Sequence, residues 1–183
     1  EAEASLEEVR RYAEVAGAIG CDCIRVFAGA CGEIAIDDEV ERAVEAAHRM
    51  AEAAGSFTLG VETHDDWVDS SLLKRVVDRV EAENFGVVWD LHHPYRLAGE
   101  SPETTYANVG RRTVYTHVKD SAASDDGFRY VLPPEGTVPL AEMVGLLKSG
   151  GFDGWLELEW EKRWHPELPG PAEALPAYAG FLR

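Results

Sequence analysis

Two kinds of segment take turns along the chain. Apolar residues spaced three and four apart predict helices at roughly 3–18, 37–54, 69–82, 102–111, 139–149 and 171–182. Between them, short β-branched runs at roughly 23–27, 57–63, 86–91, 113–118 and 155–160 predict strands. Polar punctuation agrees with these limits: Asp37 and Asp38 open the second helix, Asp69 and Ser70 the third, while Gly55 and Gly150–Gly151 stop two helices.

Strand–helix alternation with short connections implies parallel strands joined by right-handed crossovers, in a doubly wound sheet or a barrel. The strand ends separate the two. Each run finishes in chemically capable residues: Arg25 and Phe27; Glu62 and His64; Asp90, His92 and His93; His117, Lys119 and Asp120; Glu159 and Glu161. A (β/α)8 barrel empties all its strands onto one mouth, whereas an open sheet decorates only those near a switch point. The pattern therefore favours an α/β TIM barrel, with residues 1–183 as one domain.

Alternation also sorts the faces. On 86–90, Val88 and Asp90 oppose Val87 and Trp89; on 113–119, Tyr115, His117 and Lys119 oppose Val114, Thr116 and Val118. The polar set is read as pointing inward. On the last strand this places Glu157, Glu159 and Glu161 on the barrel side, where like carboxylates need cations or protons to offset their repulsion and desolvation. A metal at Glu159 answers this, with Arg25 as a partner for the deeper Glu157.

Composition narrows the partners. With 34 acidic residues against 17 Lys plus Arg, a formal charge of -17 repels phosphate backbones and anionic lipid surfaces. The expected partner is a small molecule, not nucleic acid or a membrane. Glu1 to Arg11 is charged and helix-like, with no signal peptide or transmembrane span, so the expected location is cytoplasmic. Cys21, Cys23 and Cys31 lack the spacing of a zinc or redox pair and are read as reduced. Gly29-Ala-Cys-Gly32 has no phosphate-loop spacing.

At a barrel mouth, Glu62, Asp90, His117 and Glu159 come together from four strands. Three carboxylates and one imidazole suit Mn²⁺, Mg²⁺ or Co²⁺ better than Zn²⁺. Their charge overcompensates one divalent ion, which gives Lys119 or Arg25 a use as a neighbouring cation. The chemistry such a site supports is proton movement beside a carbonyl through a metal-stabilised enediolate, with Glu62 and Glu159 as the acid/base pair. Against this stands a plainer reading in which Asp90 caps the turn of Asp90-Leu-His-His-Pro94. There His92 is expected to face solvent and His93 to face inward. His64 is a further candidate contact for substrate. Trp67, Tyr95 and Trp164 would either form an apolar wall for a sugar ring or pack loops, and His165 and Pro166 shape one loop.

Gly20–Phe27 (GCDCIRVF), Gly60-Val-Glu-Thr-His64, Val88-Trp-Asp-Leu-His-His-Pro94, Thr116-His-Val-Lys-Asp120 and Gly154–Glu161 (GWLELEWE) resemble, in order and spacing, the xylose-isomerase-like TIM-barrel superfamily of sugar isomerases and epimerases. The resemblance implies Glu62, Asp90, His117 and Glu159 as metal ligands, His93 as a substrate contact, and the two glutamates as proton carriers in ketose epimerisation. It also implies that the five strands correspond to the fourth through eighth of a full barrel. On that reading the chain is either a truncated product or one whose gap a second copy covers, as a homo-oligomer. An abasic-site endonuclease of the same superfamily needs an Asp-x-His after the strand at 113–119. Here that stretch offers Asp125 and Asp126 and no His. A dehydratase of the inosose or dehydroshikimate type begins from the same enolate and is the runner-up; an inactive fragment or binding module is the alternative of another class.

Overall fold

The computed structural model describes residues 2–182. Five strands, β1 (Cys23–Val26), β2 (Thr58–Glu62), β3 (Phe85–Asp90), β4 (Thr113–Val118) and β7 (Leu156–Leu158), form one sheet in that order, every neighbouring pair parallel. Helices α1 (Ala2–Ile19), α2 (Ile36–Ala54), α3 (Ser70–Val77), α5 (Pro102–Val109), α6 (Leu140–Ser149) and α7 (Pro171–Phe181) complete the alternation, with a short α4 (His93–Leu97) after β3. The result is an arc of five parallel strands from a (β/α)8 barrel, as expected. Among the described residues no helix is long and apolar enough to cross a membrane.

Local chemistry accounts for the helices. On α2, Val40, Val44, Ala47, Ala51 and Ala54 are buried at intervals of three and four, and Asp37, Asp38 and Glu39 place negative charge at the positive end of the helix dipole. Gly55 ends it at φ 65°, a conformation that an L side chain resists. Asp69 caps α3 by accepting from the Ser71 and Leu72 amides, as its position predicts. That helix stops at Val77 rather than near 82. Beyond it the chain turns so that Asn84 Nδ2 donates to the carbonyls of Ala51, Gly55 and Phe57, satisfying acceptors at the end of α2.

Two glycines shape the inner face of the sheet. A Cβ on Gly60 would stand 2.7 Å from Val88 Cγ2, and one on Gly86 would stand 2.3 Å from Val114 Cγ1. Their absence admits Val114, the extra residue of a bulge where Val87 pairs with Thr113 but Val88 with Tyr115. Val114 is therefore not simply on the face opposite Tyr115, as strict alternation expects.

Besides the short α4, a hairpin escaped the pattern. Directly after β4, strands β5 (Asp120–Ser124) and β6 (Gly127–Val131) form an antiparallel hairpin turned by Asp125 and Asp126. Its base is tied down at several points. Arg96 Nε donates to Ser121 Oγ at 2.7 Å, Tyr178 Oη accepts the Asp120 amide and donates to the Val131 carbonyl, and Asp120 Oδ1 accepts the amides of Ser121 and Val138.

β1 and β7 each have one partner strand in the sheet. Between α1 and the free edge of β1 lies a groove of about 640 Å³, lined in part by Tyr12, Val15, Ile19 and Phe27, all exposed.

Candidate metal centre

Strand parity delivers the site. Glu62 ends β2, Asp90 ends β3, His117 lies one residue from the end of β4, and Glu159 follows β7 with its amide bonded to the Val118 carbonyl. One donor atom from each of the four lies within 4.8 Å of all the others. Four strands distant in sequence thus converge on one point, as the inward reading of the polar set requires.

Asp90 has two tasks at once. Its Oδ1 accepts the amides of His92 (2.8 Å) and His93 (3.0 Å), while Oδ2 accepts from Lys119 Nζ. The turn-capping role and the site role therefore use different oxygens of one carboxylate. Burial would raise this carboxyl, but the Lys119 ammonium and His93 outweigh it and hold it below the usual carboxylate range. Glu159 is likewise pulled well down: burial opposes ionisation, and hydrogen bonding to His117 with the charge of Lys119 overcomes it.

His117 sits among these anions. Nδ1 is 3.0 Å from Glu62 Oε1 and 3.4 Å from Glu159 Oε1, and Nε2 is 3.7 Å from Glu157 Oε2. Burial alone would depress its basicity. Hydrogen bonds to Glu159 and Glu62 reverse that and push it up to about 9. A proton on this nitrogen, with Arg25 and Lys119 alongside, supplies positive charge at the point where the donor atoms meet. That is the condition an oxygen-rich set with one nitrogen would satisfy with a divalent cation.

Of the other candidates, Lys119 is fully buried, bridging Asp90 and Glu159, with Glu161 Oε1 3.7 Å away. Arg25 does not reach Glu157. Its Nη1 donates to Glu62 Oε2 at 2.7 Å and to Glu159 Oε1 at 3.2 Å, because Glu157 lies one residue pair deeper and is more than half exposed. His93 Nδ1 donates to the Thr63 carbonyl at 3.1 Å, which leaves Nε2 as an acceptor. His64 is stacked edge-on between Phe27 and His93, with ring centroids 4.8 and 5.0 Å away.

For three aromatic positions the two alternatives, sugar wall or packing, are answered by their surroundings, and one histidine falls elsewhere than expected. Trp67 is only 2 % exposed and lines an outer groove with Ala28, Ala30, Glu39 and Arg42, so it packs beneath a loop and is not drawn into the cluster. Tyr95 packs against the hydrophobic core, and Trp164 is exposed beneath Arg163. His92, expected in solvent, is fully buried. Its ring meets Phe128 at 4.8 Å and Tyr130 at 5.4 Å, its Nε2 lies 2.9 Å from Ser121 Oγ, and burial pushes it down to about 3. The hairpin covers it. The signal for this was present in Asp126-Gly127 followed by the alternation Phe128-Arg-Tyr-Val131.

The fold recurs in solved proteins. A xylose isomerase domain protein from Planctomyces limnophilus is 20 % identical, with TM-score 0.71, covering 97 % of this chain and 64 % of that one. The probable 3-DHS dehydratase of petrobactin synthesis from Bacillus anthracis is 19 % identical, with TM-score 0.69, covering 86 % and 64 %. A 3-keto-D-glucoside 4-epimerase from E. coli in its apo form is 13 % identical, with TM-score 0.70, covering 97 % and 68 %. The chain thus spans about two thirds of the length of these neighbours, at identities that establish fold alone. Among curated proteins, none matches. The family model described as xylose isomerase-like TIM barrel matches residues 1–183, and the chain belongs to that family.

Proposed function

We propose that the chain carries the metal centre of a divalent-metal-dependent sugar isomerase or epimerase. The observation that carries this reading is the convergence of Glu62, Asp90, His117 and Glu159 within 4.8 Å of one another from four strands. These four residues would hold the ion, and Mn²⁺, Mg²⁺ or Co²⁺ suits their oxygen-rich set better than Zn²⁺. When bound, such an ion supplies electrostatic stabilisation of negative charge growing on the oxygens of a ketose or polyol substrate.

The chain's own residues divide the remaining work. Glu159 is the group that takes the proton from the carbon beside the substrate carbonyl, which requires it to shed the Lys119 and His117 contacts that hold its basicity down, and Glu62 stands across the cluster as its partner in returning one. Arg25 Nη1 spans the two glutamates and fixes the spacing between them. His93, its Nδ1 committed to the Thr63 carbonyl, presents Nε2 as an acceptor for a substrate hydroxyl. His64 and Phe27 stack beside it as part of an apolar wall.

Proton abstraction beside a carbonyl is also the first step of a dehydratase, and one of the structural neighbours is named as such an enzyme. Ketoses and cyclitols incubated with the protein and Mn²⁺ in D₂O decide between the two. Deuterium entering the substrate without loss of water supports epimerisation. Loss of water supports the lyase. Absence of both reactions, with no Mn²⁺ bound, defeats the metal-enzyme reading and leaves a binding module.

A further inference from the structure

The carboxylate oxygens that a cation would share are engaged by the chain's own positive groups. Glu62 Oε1 and Glu159 Oε1 face His117 Nδ1, and Glu62 Oε2 accepts from Arg25. Asp90 Oδ2 and Glu159 Oε2 both accept from Lys119 Nζ. Asp90 has no oxygen to spare, because Oδ1 is taken by the amides of His92 and His93.

Lys119 differs from the other two cationic groups. Arg25 is one third exposed and bonds Glu62, whereas Lys119 is fully buried and holds the Asp90 oxygen that the backbone amides leave. A buried ammonium needs anionic partners at all times, since leaving it alone in a dry interior is strongly unfavourable. One further carboxylate is within reach: Glu161 Oε1, 3.7 Å from Nζ, belongs to none of the four-residue donor set.

We propose that Lys119 is the built-in competitor of the divalent ion: its ammonium occupies Asp90 Oδ2 and Glu159 Oε2 when the centre is metal-free and turns toward Glu161 when an ion arrives. The inference rests on the metal-dependent reading of the cluster. Two cations at the same pair of oxygens repel strongly at low dielectric, so the residue that stabilises the metal-free fold is also the one that weakens metal affinity. Glu161 keeps the displaced charge partnered.

The test is calorimetric titration of Mn²⁺ into metal-free wild type, Lys119→Met and Glu161→Gln, with thermal melting of each protein in EDTA. Lys119→Met should bind Mn²⁺ at least about tenfold more tightly while melting about 5 °C or more lower without metal. Those opposite signs are the diagnostic, because a merely structural lysine would lose both fold stability and affinity when removed. Glu161→Gln should bind Mn²⁺ a few-fold more weakly, with its metal-free melting point kept.

Unchanged or weaker binding in Lys119→Met, beside normal binding in wild type, overturns the competitor and leaves the metal centre standing. No binding to either protein removes both. Should Lys119→Met fail to fold, Lys119→Arg serves: a charged fork that grips both carboxylates should fold and bind Mn²⁺ about tenfold more weakly. Wild-type affinity in Lys119→Arg would overturn the proposal.

Discussion

β3 and β7 are parallel strands of one sheet, yet every residue of β3 is buried and none of β7 is. β3 has a strand on each side, helices over its outer face and the inner face of the arc below. β7 has one neighbour. The candidate metal centre straddles this difference. Glu62 and Asp90 come from the covered middle of the sheet and are fully buried, whereas Glu159 and Arg25 come from its edges and remain about 30 % exposed. An ion pair at the middle is felt at low dielectric and one at the edge is screened, so the same residue types carry different energies across one cluster.

The largest contrast should appear between Asp90 and Glu157. Asp90→Ala takes one of two close partners from the buried Lys119 ammonium and strips an acceptor from two buried amides, for an expected loss of about 3–5 kcal/mol. Glu157→Gln, on the exposed edge, should stay within about 0.5 kcal/mol of wild type. Urea denaturation of metal-free protein measures both. Equal losses would mean that the edge is as covered as the middle.

A pH titration of the metal-free protein sharpens the same contrast. His117 is raised from an ordinary value of 6.5 to about 9 by its carboxylate partners. The folded chain therefore holds this proton more tightly than the unfolded chain does. Its stabilisation is fully present below about pH 6.5 and is lost as pH climbs through 9. Melting points should fall across that window, and His117→Gln should flatten the fall. A slope that is unchanged in the variant would show that the ring is not protonated against Glu62 and Glu159.

Glycines give a smaller version. Gly86→Ala places a methyl 2.3 Å from Val114 inside the arc and should cost about 1–3 kcal/mol. Gly145→Ala, on α6 with nothing within 4 Å, should stabilise by about 0.4–1 kcal/mol. Denaturation midpoints that shift in the same direction would contradict the packing described for the inner face.

The middle of the molecule was also the legible part. Alternation on β3 and β4 placed Asp90 and His117 on one side, and the polar end of β2 added Glu62; a slip of one residue would turn the set to the other face, so burial of these strands holds that parity. Parity says nothing about depth, which is why Arg25 was matched to Glu157 instead of Glu62 and Glu159. Nor does it report what lies over a strand end. His92 and His93 are adjacent, chemically alike and both buried, and only the hairpin, with Phe128 and Tyr130 against one of the rings, decides which of them lies beneath it. The hairpin was hidden because Ser121, Ala122 and Ala123 carry almost no hydrophobic alternation. Its position is held by hydrogen bonds to Arg96 and Tyr178, contacts between residues 25 to 58 positions apart. Trp67 shows a different limit: a large aromatic beyond a strand end fits a substrate wall or a loop core equally well until its neighbours are known.

The smallest effect expected is at Trp155, whose two halves belong to different worlds. Its carbonyl accepts from the Thr116 amide at 3.0 Å, which ties the start of β7 to β4, while its side chain is 80 % exposed. Trp155→Ser keeps the first and removes only the second. Stability in the dilute protein should therefore move by no more than about 0.5 kcal/mol. A large apolar ring at a free sheet edge is also what a second copy would cover, and the measurement separates these cases if it is repeated across a hundredfold range of protein concentration. A side chain that is bare leaves the midpoint independent of concentration in both proteins. A side chain buried against another copy gives a wild-type midpoint that rises with concentration and a Trp155→Ser midpoint that does not, and β7 would then be an edge of the single chain only.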